Sequence, residues 1–114
     1  MNPINYNGKR FRSRQNTASG DVGPSTIFHY FQDGDLVWAT YEGGSVRKGQ
    51  LIARADQQGI LDMRYQHLDT SGELKTGICQ STPDHDEDGR LILRESWQWT
   101  CGDCEKGSSI IEEI

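Results

Sequence analysis

The stretch DEDGRLILRESWQWTCGD, residues 86–103, sets an alternating segment between two turn clusters. Glycine combined with aspartate is typical of tight turns, whereas the segment between the clusters is apolar and aromatic. Side chains two residues apart share one face of a strand, and here one face carries Leu91, Leu93, Glu95, Trp97 and Trp99. We predict a strand over Arg90–Thr100 whose tryptophan face points into the protein.

The same alternation of turn and strand recurs along the chain. Turn clusters lie at residues 32–35, 42–45, 56–59, 69–72, 86–89 and 101–107, and TASGDVGPS at 17–25 is a longer loop. The other predicted strands are Lys9–Arg14, Ile27–Gln32, Leu36–Tyr41, Val46–Ala55, Ile60–Leu68, Glu73–Thr82 and Ser108–Ile114. About eight strands and no amphipathic helix predict an all-β chain.

Short turns between consecutive strands favour an antiparallel up-and-down meander. A meander leaves two exposed edges unless it closes, and an eight-stranded closed barrel either fills with side chains or holds one small ligand. We therefore predict one β-barrel domain over residues 1–114, with an open two-layer sandwich as the alternative. Pairing of SSIIEEI, residues 108–114, with the strand around Phe11 distinguishes the barrel.

Composition limits the partners and the compartment. The 12 basic and 17 acidic side chains give a net charge of -5, which argues against binding to nucleic acid or to an anionic membrane. The chain has no apolar stretch of membrane-spanning length and no secretory signal, so we expect a cytoplasmic protein with reduced cysteines. No cofactor is implied by any motif.

Alternation also predicts which residues of the other strands face the interior. In the fifth strand the interior set is Leu61, Met63, Tyr65 and His67. In the third strand we favour Leu36, Trp38 and Thr40, and in the sixth Leu74, Thr76, Ile78 and Gln80, because Lys75 indicates that the opposite face is outside. Gly49 and Gly77 are predicted to mark sharp coiling of the barrel strands.

The predicted interior is unusually polar and aromatic for a core. The candidate ligand-binding residues are Trp38, Thr40, Tyr65, His67, Gln80, Glu95, Trp97 and Trp99. Because a buried carboxylate without a partner costs several kcal/mol, Glu95 either joins a structural network with Tyr65, His67 and an indole, or meets a ligand donor. Both readings stay open at the level of sequence.

Other motifs carry weaker signals. CGDC, residues 101–104, lacks two further ligands for a zinc site and does not precede a helix as a redox motif would. The loop TPDHDEDG, residues 82–89, lacks the spaced ligands of a calcium site, and the arginines of GKRFRSR, residues 8–14, are expected to solvate an outer face. Cys79 and His67 are predicted on opposite faces. We therefore predict no metal site and no catalytic residue.

Three stretches, YFQDGDLVWATYEGGSVRKGQLI, RYQHLDTSGELKTGICQSTP and RLILRESWQWTCGD, resemble a small family of uncharacterised bacterial proteins. The resemblance covers nearly all of the chain, and the family is similar in architecture to avidin-like and lipocalin-like barrels. Relatives often carry an N-acetylglutamate synthase label. The chain has neither the βα unit nor the glycine loop that would hold the pyrophosphate of acetyl-CoA, so we do not expect that activity.

Two functions follow as hypotheses, and a third, catalytic function would require a perturbed His67 or Glu95 beside an open cavity. The first is a barrel that binds a small molecule in its interior. The second is an interaction or self-assembly module, a homo-oligomer whose barrel is filled and whose outer face is apolar. A cavity with convergent polar groups favours the first hypothesis, and a filled barrel favours the second.

Overall fold

The computed structural model describes residues 4–18 and 20–114 as eight strands joined by turns. The strands are β1 (Arg10–Asn16), β2 (Ile27–Asp33), β3 (Leu36–Gly43), β4 (Val46–Ala55), β5 (Leu61–Asp69), β6 (Leu74–His85), β7 (Leu91–Trp99) and β8 (Lys106–Glu113). The protein is all-β, as predicted. In the part of the chain that the structure describes, no helix has the length and apolarity needed to cross a bilayer.

The sheet closes on itself. Each strand pairs antiparallel with the next, and β8 returns to pair with β1, where Phe11 lies opposite Glu113 and Ser13 opposite Ile111. The predicted up-and-down barrel is therefore confirmed, and the sandwich alternative is wrong. Closure removes the two edges that an open meander would expose.

One strand boundary differs clearly from the sequence prediction. β6 continues to His85, and Pro83 pairs with Leu93 across the sheet. The turn itself begins only at Asp86, whose amide donates to the carbonyl of Arg90 at 2.9 Å. The predicted loop over residues 82–89 is thus half strand, because the β6–β7 pairing continues past the proline.

The interior is packed with aromatic and aliphatic side chains. At one end the segment before β1 covers the barrel with Tyr6, which is fully buried and donates its hydroxyl to the carbonyl of Gly59 at 2.5 Å. Tyr30 packs between Tyr6 and Phe11, with ring centroids 6.0 and 5.1 Å away. This end of the barrel is filled.

The predicted faces are right for β5 and β7 and wrong for β3. In β3 Val37, Ala39 and Tyr41 are buried, whereas Trp38 is 38% exposed and stacks on Phe31 outside the barrel at 5.7 Å. Both faces of this strand carry an aromatic ring, so alternation alone does not choose between them. The outer neighbour Phe31 gives Trp38 a partner there, and Tyr41 fills the interior.

The predicted face of β6 is also wrong. Cys79 and Ser81 are buried, whereas Leu74 is 78% exposed and Ile78 is 37% exposed. Lys75 does share the inward face, but it lies near the rim of the barrel, where its ammonium group reaches two carboxylates. A lysine at the end of a strand therefore does not identify the outer face.

Three strand glycines make room for aromatic rings inside the barrel. Gly77 lies opposite Tyr65, and a Cβ atom at that glycine would lie 2.2 Å from the tyrosine ring. Gly107 has the same relation to Trp97, and Gly49 to Tyr41. Close approach to an aromatic ring is thus the role that the structure shows for Gly49 and Gly77, and it lets the rings lie against the barrel wall.

Candidate ligand-binding site

A cavity of about 50 Å³ lies inside the barrel at the end opposite Tyr6. Five aromatic residues contributed by four different strands line its walls: Phe28, Tyr41, Tyr65, Trp97 and Trp99. The rings contact one another: the Trp99 ring centroid lies 5.6 Å from that of Trp97 and 5.7 Å from that of Tyr65. The cavity is therefore an apolar chamber with a small number of polar groups set into its wall.

Glu95 is the acidic group that β7 aims into this chamber. Its register places it opposite Ser81 of β6 on one side and Ser109 of β8 on the other. The Ser81 hydroxyl donates to Oε2 and the Ser109 hydroxyl donates to Oε1, both at 2.9 Å. Two neighbouring strands therefore fix the carboxylate in place.

The surroundings of Glu95 disfavour its charged form. Part of the residue remains exposed, but protein atoms surround the carboxyl group, and this burial raises its pKa. The two serine hydrogen bonds act in the opposite direction without cancelling the effect of burial. No ion pair joins Glu95 to a basic side chain among residues 4–18 and 20–114.

The hydrogen-bond partners of Glu95 differ from those of the structural network that was one of the two alternatives at the level of sequence. The Trp97 indole donates to Asn16 Oδ1 at 3.1 Å, and the His67 ring nitrogens contact Tyr41 and Asp21. Two small hydroxyl side chains on the adjacent strands supply the partners instead. The position of Ser81 and Ser109 opposite Glu95 can be recognised only once the strand pairing is known.

Residues 20–22 of the β1–β2 loop, which we call the cover segment, line one side of the cavity. Asp21 accepts from Lys75 Nζ at 2.9 Å and contacts His67 Nε2 at 2.9 Å. The Asn16 amide donates to the carbonyl of Val22 at 2.9 Å. The sequence predicts a loop over residues 17–25. Within this range, residue 19 lies outside the described residues. Its role as a cover depends on contacts that are distant along the chain.

His67 links the cover segment to the barrel wall. Its Nε2 atom lies 2.9 Å from Asp21 Oδ2, and its Nδ1 atom lies 3.0 Å from the Tyr41 hydroxyl. Lys75 completes the link, since it also contacts Asp69 Oδ2 at 3.1 Å. The hydrogen bond to Asp21 is the main reason that the pKa of Lys75 is raised. The cover segment is thus held by polar contacts.

The structure separates the eight candidate residues into two groups. Tyr65, His67, Glu95, Trp97 and Trp99 line the cavity. The inward orientation predicted for Trp38, Thr40 and Gln80 is wrong, because those residues lie on the outer faces of β3 and β6. The cavity-lining residues outside the candidate set are Asn16, Gly20, Asp21, Val22, Phe28, Tyr41, Leu51, Met63, Cys79 and Ser109.

Cys79 also faces the interior, so the predicted placement of Cys79 and His67 on opposite faces is wrong. Burial raises the pKa of the Cys79 thiol, and this keeps it in the weakly nucleophilic protonated form. Its nearest polar partner is the Ser81 hydroxyl at 3.7 Å. The arrangement does not provide an activated nucleophile beside a base.

The described residues contain no cluster of three or more histidine, cysteine, aspartate or glutamate side chains suited to a metal ion. Cys79, Cys101 and Cys104 are free thiols. The chemistry of this end of the barrel therefore lies in the Glu95 carboxylate, the aromatic wall and the cover segment.

Residues 4–114 match the sequence model of a family described as avidin-like protein. The match spans all eight strands and the cover segment. No curated protein and no solved structure matches the chain.

Proposed function

Because the chain belongs to the avidin-like protein family, whose barrel fold commonly binds ligands, we propose that it binds a small molecule in the cavity beside Glu95. One observation carries this proposal. A carboxylate is held inside an aromatic chamber by two serines, without a cationic partner among the described residues. A group that costs free energy when buried is expected where function requires it.

The size of the cavity indicates how a ligand enters. Its volume of about 50 Å³ is well below the ~150 Å³ of an engineered cavity that takes up benzene. A ligand larger than a few water molecules therefore needs the cavity to expand, and we propose that the cover segment moves outward to allow this. Polar contacts through Asp21 and Val22 hold that segment, and water can replace such contacts when it opens.

A thermal-shift screen of metabolites, read with tryptophan fluorescence, tests the proposal. We expect a ligand to raise the melting temperature and change the indole emission, because it stabilises the folded state and touches Trp97 and Trp99. Both effects should disappear in Glu95→Gln and Trp97→Phe. Glu113→Gln is the matched control, since that glutamate pairs with Lys9 at 3.2 Å, away from the cavity. Ligands that shift these three variants equally would contradict binding in the cavity.

Movement of the cover segment is tested by alkylation of Cys79, with Cys101 and Cys104 changed to serine. Cys79 lines the cavity, so its reaction with a maleimide requires opening. We expect Asp21→Asn to accelerate the reaction because the variant weakens the contacts to Lys75 and His67. Asp62→Asn, which affects only the surface pair with Arg64, serves as the control. Equal rates in both variants would contradict a cover held by Asp21.

A second candidate function is self-association through the outer face. Strand register places Phe31, Trp38, Ile52, Arg64 and Ile78 in one row across β2 to β6. Trp38, Ile52 and Ile78 are 38, 57 and 37% exposed, which favours an interaction surface. Sedimentation of the native chain and of Ile52→Glu tests this: a monomer in both cases argues against it.

A further inference from the structure

The hydrogen bonds of Glu95 leave part of its carboxylate available. A carboxylate offers about four lone-pair positions, and the hydroxyls of Ser81 and Ser109 occupy one on each oxygen. Because these serines belong to the two strands flanking β7, they hold the carboxylate in one orientation. A molecule in the cavity would complete the site by donating hydrogen bonds to the remaining positions.

The wall around Glu95 favours positive charge. Faces of tryptophan and tyrosine attract cations, and the chamber combines Trp97, Trp99, Tyr41 and Tyr65 with the acid Glu95. At the rim of the barrel a cationic group already lies against this wall, since Lys75 Nζ is 5.5 Å from the centroid of the Trp99 ring.

The charged groups at the mouth do not reverse this preference. Lys75 contacts both Asp21 and Asp69, so one positive charge is shared between two acids. Together with Glu95, the acids outnumber the lysine at this end of the barrel. An anionic ligand would therefore meet repulsion, and a purely apolar ligand would leave the remaining lone-pair positions of the carboxylate without donors.

We infer that the ligand is a small organic cation with N–H donors, of the ammonium, amidinium or guanidinium type, which pairs with Glu95 and packs against Trp97 and Trp99. This inference rests on the proposed function and names the ligand class for the same cavity. The cation supplies both the charge and the donors that the carboxylate lacks, and the aromatic wall covers its carbon framework.

Benzamidinium, benzamide and benzoate test the inference because they share one shape and differ in charge. Their affinities for the native chain are measured at pH 8 from tryptophan fluorescence, and protection of Cys79 from alkylation reports binding in the cavity. We expect benzamidinium to bind roughly tenfold or more tightly than benzamide. Benzoate should bind more weakly than either.

Two variants locate the charge that is recognised. Glu95→Gln should weaken benzamidinium binding by roughly tenfold or more and change benzamide binding by less than about threefold. Glu113→Gln, the control away from the cavity, should change neither. If Glu95→Gln does not fold, the order of the three affinities in the native chain decides the result.

The outcomes separate this inference from the proposed function. If benzamide or benzoate binds as tightly as benzamidinium and Cys79 is protected, the ligand is not selected as a cation, but the cavity still binds ligands. Failure of all three to bind would overturn the ligand class, and the metabolite screen would then decide on the function independently.

Discussion

Glu95 and Glu112 lie on neighbouring strands of the same barrel wall, but their surroundings are opposite. Glu112 faces outward and contacts three guanidinium groups, at 2.9 Å from Arg12, 2.6 Å from Arg14 and 3.3 Å from Arg90. Glu95 faces inward and contacts two serines. The hydrogen bond from Arg14 is the main reason that the pKa of Glu112 is lowered, whereas burial raises the pKa of Glu95.

The difference shows which acid serves the fold. Arg12 and Arg14 belong to β1 and Glu112 to β8, so the outer cluster joins the two strands whose pairing closes the barrel. Arg14 extends the cluster to Asp86 in the β6–β7 turn. Glu95 makes no comparable link to a basic residue among those described, and its burial opposes folding. A residue that destabilises its fold is typical of a functional site.

The largest expected effect is the loss of the outer cluster. Glu112→Gln should lower the free energy of unfolding by about 1–3 kcal/mol, because three charge-assisted hydrogen bonds weaken together. Urea denaturation at pH 7 measures this. Glu113→Gln, which loses one contact to Lys9, should cost less than about 1 kcal/mol. If the free energy of unfolding fell equally in the two variants, Glu112 would not stabilise the barrel more than Glu113 does.

The inner acid should show the opposite sign. Glu95→Gln should raise the melting temperature at pH 8 by about 2–5 °C, because the variant removes a buried charge and keeps a side chain that can bond Ser81 and Ser109. The gain should fade as the pH falls through the raised pKa of Glu95 and the native carboxyl becomes neutral. A lower melting temperature at pH 8 would mean that Glu95 stabilises the barrel.

The pH dependence separates the two acids further. The lowered pKa values of Glu112 and Asp86 contribute stability that is present above about pH 4 and is lost as the pH falls through their folded-state pKa values. Glu95 has the opposite effect. Its charged form lowers stability at high pH, and this loss disappears as the pH falls below its raised pKa. Melting curves from pH 8 to 3 should therefore show a shallower acid loss for Glu112→Gln than for the native chain. If the melting temperatures of the native chain and of Glu112→Gln fell in parallel with pH, Glu112 would not be a source of the acid loss.

The smallest expected effect is that of salt. The arginine partners of Glu112 are partly exposed, so 1 M NaCl should reduce the difference in stability between the native chain and Glu112→Gln by about half. The difference between the native chain and Glu95→Gln should change little, because it arises from burial. A comparable salt effect on both differences would indicate that Glu95 is solvated.

Sequence alternation predicted the barrel and the inner faces of β5 and β7 because each of those strands has one clearly apolar face. It failed for β3 and β6, where both faces are mixed and the choice depends on distant partners. Trp38 lies outside because Phe31 packs against it, and Cys79 lies inside on the face where Gly77 accommodates Tyr65.

The candidate site was only partly predictable for the same reason. Tyr65, His67, Glu95, Trp97 and Trp99 follow from local alternation. Asp21 contacts residues 46 and 54 positions away, and no local pattern indicates that pairing. Nor does the sequence distinguish the two acids, because partners on neighbouring strands determine the surroundings of Glu95 and Glu112.

The most direct measurement is a carbon-13 NMR titration of the glutamate side-chain carboxyl groups, with and without benzamidinium. We expect the titration midpoint of Glu95 to lie above the ordinary value of 4.5 in the free protein and that of Glu112 to lie below it, and we expect the Glu95 midpoint to fall when benzamidinium binds. A Glu95 midpoint at or below 4.5 in the free protein would contradict the claim that this carboxylate is buried without a cation.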